Sequence, residues 1–176
     1  KAMQSITFGY LASRAFTSDS IQLGASASSG LSVVYQVMVG EAELFGEELT
    51  LTGVGEVTVR AKQLGSDNYK AASGVDRPFT VSQASQSVEM VVGDQIAWQS
   101  EPVEVGLKSS SGLKNFNLQV LNGPGKLEDG NKLKLTGEGV VQLELSEPGD
   151  ARYGSAQIQK YVTVSKASQV IEFETL

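Results

Sequence analysis

Four glutamates, Glu41, Glu43, Glu47 and Glu48, crowd into one short stretch of the chain. Carboxylates held about 5–10 Å apart in a cleft hydrolyse glycosides, so this cluster is the acidic candidate for catalysis. Asp19, Asp67, Asn68 and Asp150 offer hard oxygen ligands of the kind that suit Ca²⁺. Thr52-Gly53-Val54-Gly55 and Thr136-Gly137-Glu138-Gly139 carry the G-x-G spacing that lets backbone amides approach a phosphate. Trp98, the sole tryptophan, could stack on a sugar ring. The inventory ends there. With no His and no Cys, the chain holds no Ser-His-Asp or Cys-His nucleophile, no HExxH, no zinc cluster and no haem or iron–sulfur ligand set.

The elements that must position these residues argue against most of that chemistry. A strand follows each G-x-G where a nucleotide loop needs a helix and a further Gly, so the glycines are expected to supply positive φ in a tight connection. The glutamate cluster has no counterpart pair in the second half, which reads Pro124-Gly125-Lys126-Leu127-Glu128-Asp129. Charge guarding an edge strand against unwanted pairing explains it better. The Asp and Asn residues lack a D-x-[DN]-x-[DN]-G string and read as turns in which the side chain bonds nearby backbone. Phe16 stands where Trp98 is expected to have its counterpart, which points to packing. Tyr69 and Tyr153 recur at one point before the final strand, and a ring capping the core with its hydroxyl bonded to backbone is the expectation. The expectation is therefore no enzyme, no cofactor and no metal, with Ca²⁺ the alternative set aside. Trp98 is kept as the one speculative ligand contact.

Charge narrows the partners. Fourteen Lys and Arg against twenty Asp and Glu leave a net −6, which disfavours a phosphate-binding groove and so a nucleic-acid partner. No apolar run approaches the length a membrane-spanning helix needs.

Internal repetition decides the organisation. Lys1-Ala2-Met3-Gln4-Ser5-Ile6-Thr7-Phe8 recurs from Gln83 as Gln83-Ala84-Ser85-Gln86-Ser87-Val88-Glu89-Met90, and begins again as Lys166-Ala167-Ser168-Gln169. Ser28-Ser29-Gly30-Leu31 returns at Ser110, Leu49-Thr50-Leu51-Thr52-Gly53 at Leu133, Tyr69 at Tyr153 and Thr80-Val81-Ser82 at Thr163. Offsets stay between 82 and 84. This predicts one repeat over residues 1–83, a second over 84–167, and the first strand of a third over 168–176. A segment of a longer array is the expectation.

Within each copy the apolar period is two. Val57, Val59 and Ala61 alternate with Thr58, Arg60 and Lys62, and Val141, Leu143 and Leu145 alternate with Gln142, Glu144 and Ser146. Strands are expected near 5–8, 21–27, 33–39, 42–44, 48–52, 56–62 and 76–82. No window carries a helical stripe with caps. About seven short antiparallel strands per copy predict an all-β chain of two tandem Ig-like β-sandwiches. Only Gln83-Ala84-Ser85-Gln86 joins them, without Gly or Pro, which predicts an end-to-end arrangement rather than a flexible tether.

The run of Lys1-Ala2-Met3-Gln4 before Ile6-Thr7-Phe8, then Ala25-Ser26-Ala27-Ser28-Ser29-Gly30-Leu31, Leu49 to Val59, Asp67-Asn68-Tyr69 and Phe79-Thr80-Val81 resembles the tandem bacterial Ig-like repeats, the MBG-type and related groups. The resemblance covers nearly the whole chain. Copy two departs from it with Ala151-Arg152-Tyr153-Gly154 and with Met90 in place of Phe8. What it implies is a structural spacer or stalk in a large exported, adhesin-like protein, located extracellularly or at the bacterial cell surface. Its partners would be neighbouring repeats of the same chain. A module binding a host or surface glycan or protein receptor is the alternative.

Overall fold

Val141, Leu143 and Leu145 are fully buried while their neighbours in the strand are not, and Val57, Val59 and Ala61 repeat the pattern. That alternation is what a sheet with one face in a core requires. The computed structural model, which describes residues 1–171, builds two compact units of β-structure from it. One comprises Lys1–Ala84 with Ala151–Tyr153; the other comprises Ser85–Asp150 with the described residues from Gly154 on. No helix occurs among the described residues, so none is long and apolar enough to cross a membrane.

The first unit contains β1 (Ile6–Phe8), β2 (Arg14–Ala15), β3 (Ile21–Gln22), β4 (Ala25–Ala27), β5 (Val34–Val39), β6 (Ala42–Phe45), β7 (Glu48–Leu51), β8 (Gly55–Lys62) and β9 (Val75–Ser82). One sheet runs β2-β9-β8-β5, a second β3-β7-β6, and β1 pairs with β4. The second unit repeats this strand for strand. Its elements are β10 (Val88–Val91), β11 (Gln95–Ala97), β12 (Val103–Glu104), β13 (Gly106–Ser109), β14 (Asn117–Asn122), β15 (Gly125–Glu128), β16 (Lys132–Leu135), β17 (Gly139–Glu147) and β18 (Ala156–Ser165). Its sheets run β11-β18-β17-β14, β12-β16-β15 and β10-β13. Each unit is an Ig-like β-sandwich closed on its own apolar cluster. The clusters centre on Leu49, Val57 and Val59 in the first and on Leu133, Val141 and Leu143 in the second.

Nine strands per unit stand where seven are expected, for two reasons. The stretch 21–27 breaks at Leu23-Gly24. Leu23 is buried and its N–H donates to Glu47 C=O at 2.8 Å, on the β7 side. Two residues on, Ala25 donates to the Tyr35 hydroxyl at 2.7 Å and the chain joins β1 instead. Val105 makes the same turn in the second unit, donating to Asn131 C=O. The other addition, β2, pairs parallel with β9, as β11 does with β18. A parallel contact two or three residues long has too few alternations to show in a pattern. Residues 168–171 carry no strand, and the remainder of the expected third repeat, 172–176, lies outside the described residues.

Candidate functional site

The inward positions of β8 run Val57, Val59, Ala61 and then Gln63, just past its end; those of β17 run Val141, Leu143, Leu145 and Glu147. Alternation thus delivers one polar side chain into the base of each core. In the first unit Gln4 Nε2 donates to Gln63 Oε1 at 2.5 Å and to Lys70 C=O at 2.6 Å, while Ser29 Oγ donates to Gln4 Oε1. In the second, Gln86 Nε2 donates to Glu147 Oε2 at 2.5 Å and to Gly154 C=O at 2.7 Å. Ser109 and Ser111 hydroxyls donate to Gln86 Oε1. Glu147 is 1% exposed, and its Oε1 finds no donor. These glutamines are the recurring Gln of the repeat opening. The repetition flagged their positions, but nothing in composition or spacing showed that they point inward and tie the first strand to the end of β8 or β17.

The expected candidates are not brought together. Glu41, Glu43, Glu47 and Glu48 are all exposed, with Glu43 on β6, an edge strand of its sheet. Asp19 sits in a turn with Thr17, whose hydroxyl accepts the Asp19 N–H at 3.1 Å. Around Asp67 and Asn68 the capping oxygen belongs to Ser66, which accepts from Asn68 and Tyr69 N–H at 3.3 Å; the turn is held by that hydroxyl. Among the described residues no group of three or more Asp or Glu converges as metal ligands. In the G-x-G pairs only the second glycine has positive φ, +116° at Gly55 and +132° at Gly139.

The aromatic residues correct the expectation most. Tyr153 does not cap the core built from residues 85–150. It packs on the first cluster, its ring edge-on to Phe16 with centroids 5.7 Å apart, and Arg152 lies over the same ring at 5.5 Å. Trp98, expected to pack as Phe16 does, is 42% exposed whereas Phe16 is 8% exposed. It opens on a cleft of about 700 Å³ lined by Thr136, Gly137, Glu138, Lys166 and Gln169. Lys166 Nζ stands 3.7 Å from Glu138 Oε1 across it. The arrangement sets an aromatic face, a carboxylate and an ammonium around one cleft.

No family model and no curated protein matches the chain. Among solved structures, Drosophila N-cadherin EC1-3 is similar over 93% of this chain and 68% of its own, at 11% identity and a TM-score of 0.36. The S-layer protein rSbsC is similar over 93% of this chain and 27% of its own, at 13% identity and 0.41. A SusE-like surface located polysaccharide binding protein from the Bacteroides thetaiotaomicron heparin utilisation locus is similar over 93% and 34%, at 12% identity and 0.34.

Proposed function

We propose that the chain is a non-enzymatic spacer segment, two repeats of the bacterial Ig-like, MBG-type kind set in a longer protein exported to the cell surface. The observation that carries this reading is how the second unit re-uses the first. Inward core positions keep their place and stay apolar, as Val59 to Leu143, Ala61 to Leu145 and Phe8 to Met90, while outward ones change freely, as Arg60 to Glu144 and Lys62 to Ser146. Selection for a closed core explains that pattern; a catalytic or ligand site would hold outward polar residues constant between copies. Each repeat then adds length and resists unfolding through its own core. The test is single-molecule pulling of the chain between handles. Two separate cooperative events, each releasing roughly 25 nm of contour length, are expected for domains of this size. A single event of twice that length, or extension without cooperative events, overturns the reading.

A second reading is favoured by the half-open Trp98 and its cleft. A glycan or protein receptor would stack on the indole, and binding on a glycan array abolished by Trp98→Ala would establish it.

A further inference from the structure

Phe16 and Trp98 occupy the same place in the two units. Each follows the short parallel strand, β2 or β11, and each donates its backbone N–H at 2.8 Å to the last residue of the final strand, Ser82 or Ser165. Their surroundings differ. Phe16 is covered by Tyr153 and Arg152, and Ala84 N–H donates to Arg152 C=O at 2.9 Å in a parallel bridge to Tyr153. Three residues from far along the chain, Ala151–Tyr153, thereby complete the first unit. The cleft at Trp98 has matching walls: Thr136, Gly137 and Ala167 are the repeat counterparts of Thr52, Gly53 and Ala84. It differs in carrying Glu138 and Lys166 where the first unit has Val54 and Gln83.

We propose that the Trp98 cleft is the docking site for the Arg-Tyr turn of a further copy of this repeat, the segment equivalent to Ala151-Arg152-Tyr153. The tyrosine ring takes the edge-on place against the indole, and the guanidinium stacks over it. Trp gives a cation a larger and more electron-rich face than Phe. Glu138 adds a carboxylate that a guanidinium pairs with two-pronged. Ala167, at the position of Ala84, is placed to donate its N–H to the arginine carbonyl. The same backbone bond already joins Ala84 to Arg152 beside Phe16, which favours a peptide turn as the occupant.

This inference rests on the repeats working as an array, and it fails separately from the spacer reading because its signal is confined to one side chain. Trp98 is the sole tryptophan, so its emission reports the cleft alone. The chain is compared with an extended form in which a copy of residues 84–171 follows Lys166, carrying Trp98→Phe in the appended copy. The expected result is a shift of Trp98 emission to shorter wavelength and a several-fold fall in acrylamide quenching. Arg152→Ala with Tyr153→Ala in the appended copy should return both to the values of the original chain, while Tyr153→Phe should keep the protection. Circular dichroism melting checks that every appended copy is folded. Unchanged emission in the folded extension, or protection that survives the double substitution, overturns the proposal.

Discussion

Gln86 and Glu147 meet at the base of the second core through a 2.5 Å hydrogen bond, in the place where Gln4 and Gln63 meet in the first. The two anchors share their architecture: one partner comes from the opening segment and the other from the last inward position of the long central strand's alternation, Glu147 at the end of β17 and Gln63 one residue past β8. Gly65 N–H donates to Gln63 and Gly149 N–H to Glu147, so each anchor also pins the turn that follows. They differ in one atom. Where Gln63 has an amide, Glu147 buries a carboxyl oxygen with no donor.

Glu147→Gln should therefore raise the stability of the second unit, by about 1 kcal/mol, because a neutral amide is less costly to bury than an acid group with one oxygen unpaired. Gln86→Ala should lower it by roughly 2 kcal/mol, since it leaves Glu147 Oε2 with only the Gly149 N–H and frees the Gly154 carbonyl. Urea midpoints of the two variants check the signs, which must be opposite.

A tight hairpin fixes the second expectation. Gly123 has φ +97°, and a Cβ there would meet Val140 O at 2.0 Å; Gly40, its repeat counterpart, has φ +100° with Glu56 O at 2.3 Å. Gly123→Ala should cost about 2–4 kcal/mol, as strain and backbone collision combine. Gly46→Ala supplies the control: its φ is +63° but nothing lies within 4 Å of the added carbon, so about 1 kcal/mol is expected. Equal losses from thermal melts of the two variants would contradict this.

Leu49 and Leu133 are each fully buried in separate clusters. Truncation to Ala should cost roughly 2–5 kcal/mol at either position. Leu133→Ala should move only the unfolding step of the second unit and Leu49→Ala only that of the first. Calorimetry resolves the two steps, and a common shift of both would deny that the cores are separate.

Asp76 contributes a pH dependence of its own. Arg60 grips it with two bonds, Nε to Oδ1 at 2.5 Å and the terminal amine to Oδ2 at 2.6 Å. That hydrogen bonding holds the Asp76 carboxyl below its ordinary value of 3.8. A carboxyl depressed in the folded state favours folding above the unfolded value and loses that contribution as pH falls through the folded one. The pair is exposed, so the effect is small. The melting-temperature gap between the chain and Asp76→Asn should be open at neutral pH and close on acidification below the ordinary aspartate range. A gap that widens in acid would reverse the sign and refute the assignment.

The core was legible in the sequence because the inward strand positions are apolar at a period of two and stay apolar some eighty residues on, as Val57 to Val141 and Val59 to Leu143. Leu49 with Leu51, and Leu133 with Leu135, are buried as their alternation requires. Legibility failed where a partner lies far off in sequence. The switch at Leu23 depends on Glu47 and Tyr35, and β2 exists only because β9 runs beside it. Gln4 and Gln86 recur visibly, yet a glutamine's letter does not say that its amide is aimed at Gln63 or Glu147. Trp98 and Phe16 matched in position, but Phe16 is covered by Arg152 and Tyr153, which no local pattern connects to it.

The parallel contacts of β2 with β9 and of β11 with β18 have a mechanical consequence. In each unit a segment near the entry of the chain lies alongside the strand by which it leaves, and both point the same way. Tension applied at the two ends drags these neighbours lengthwise past one another. The bonds from Phe16 to Ser82 and from Trp98 to Ser165 are then loaded in shear along with the rest of their patch, so that they rupture together instead of unzipping in turn.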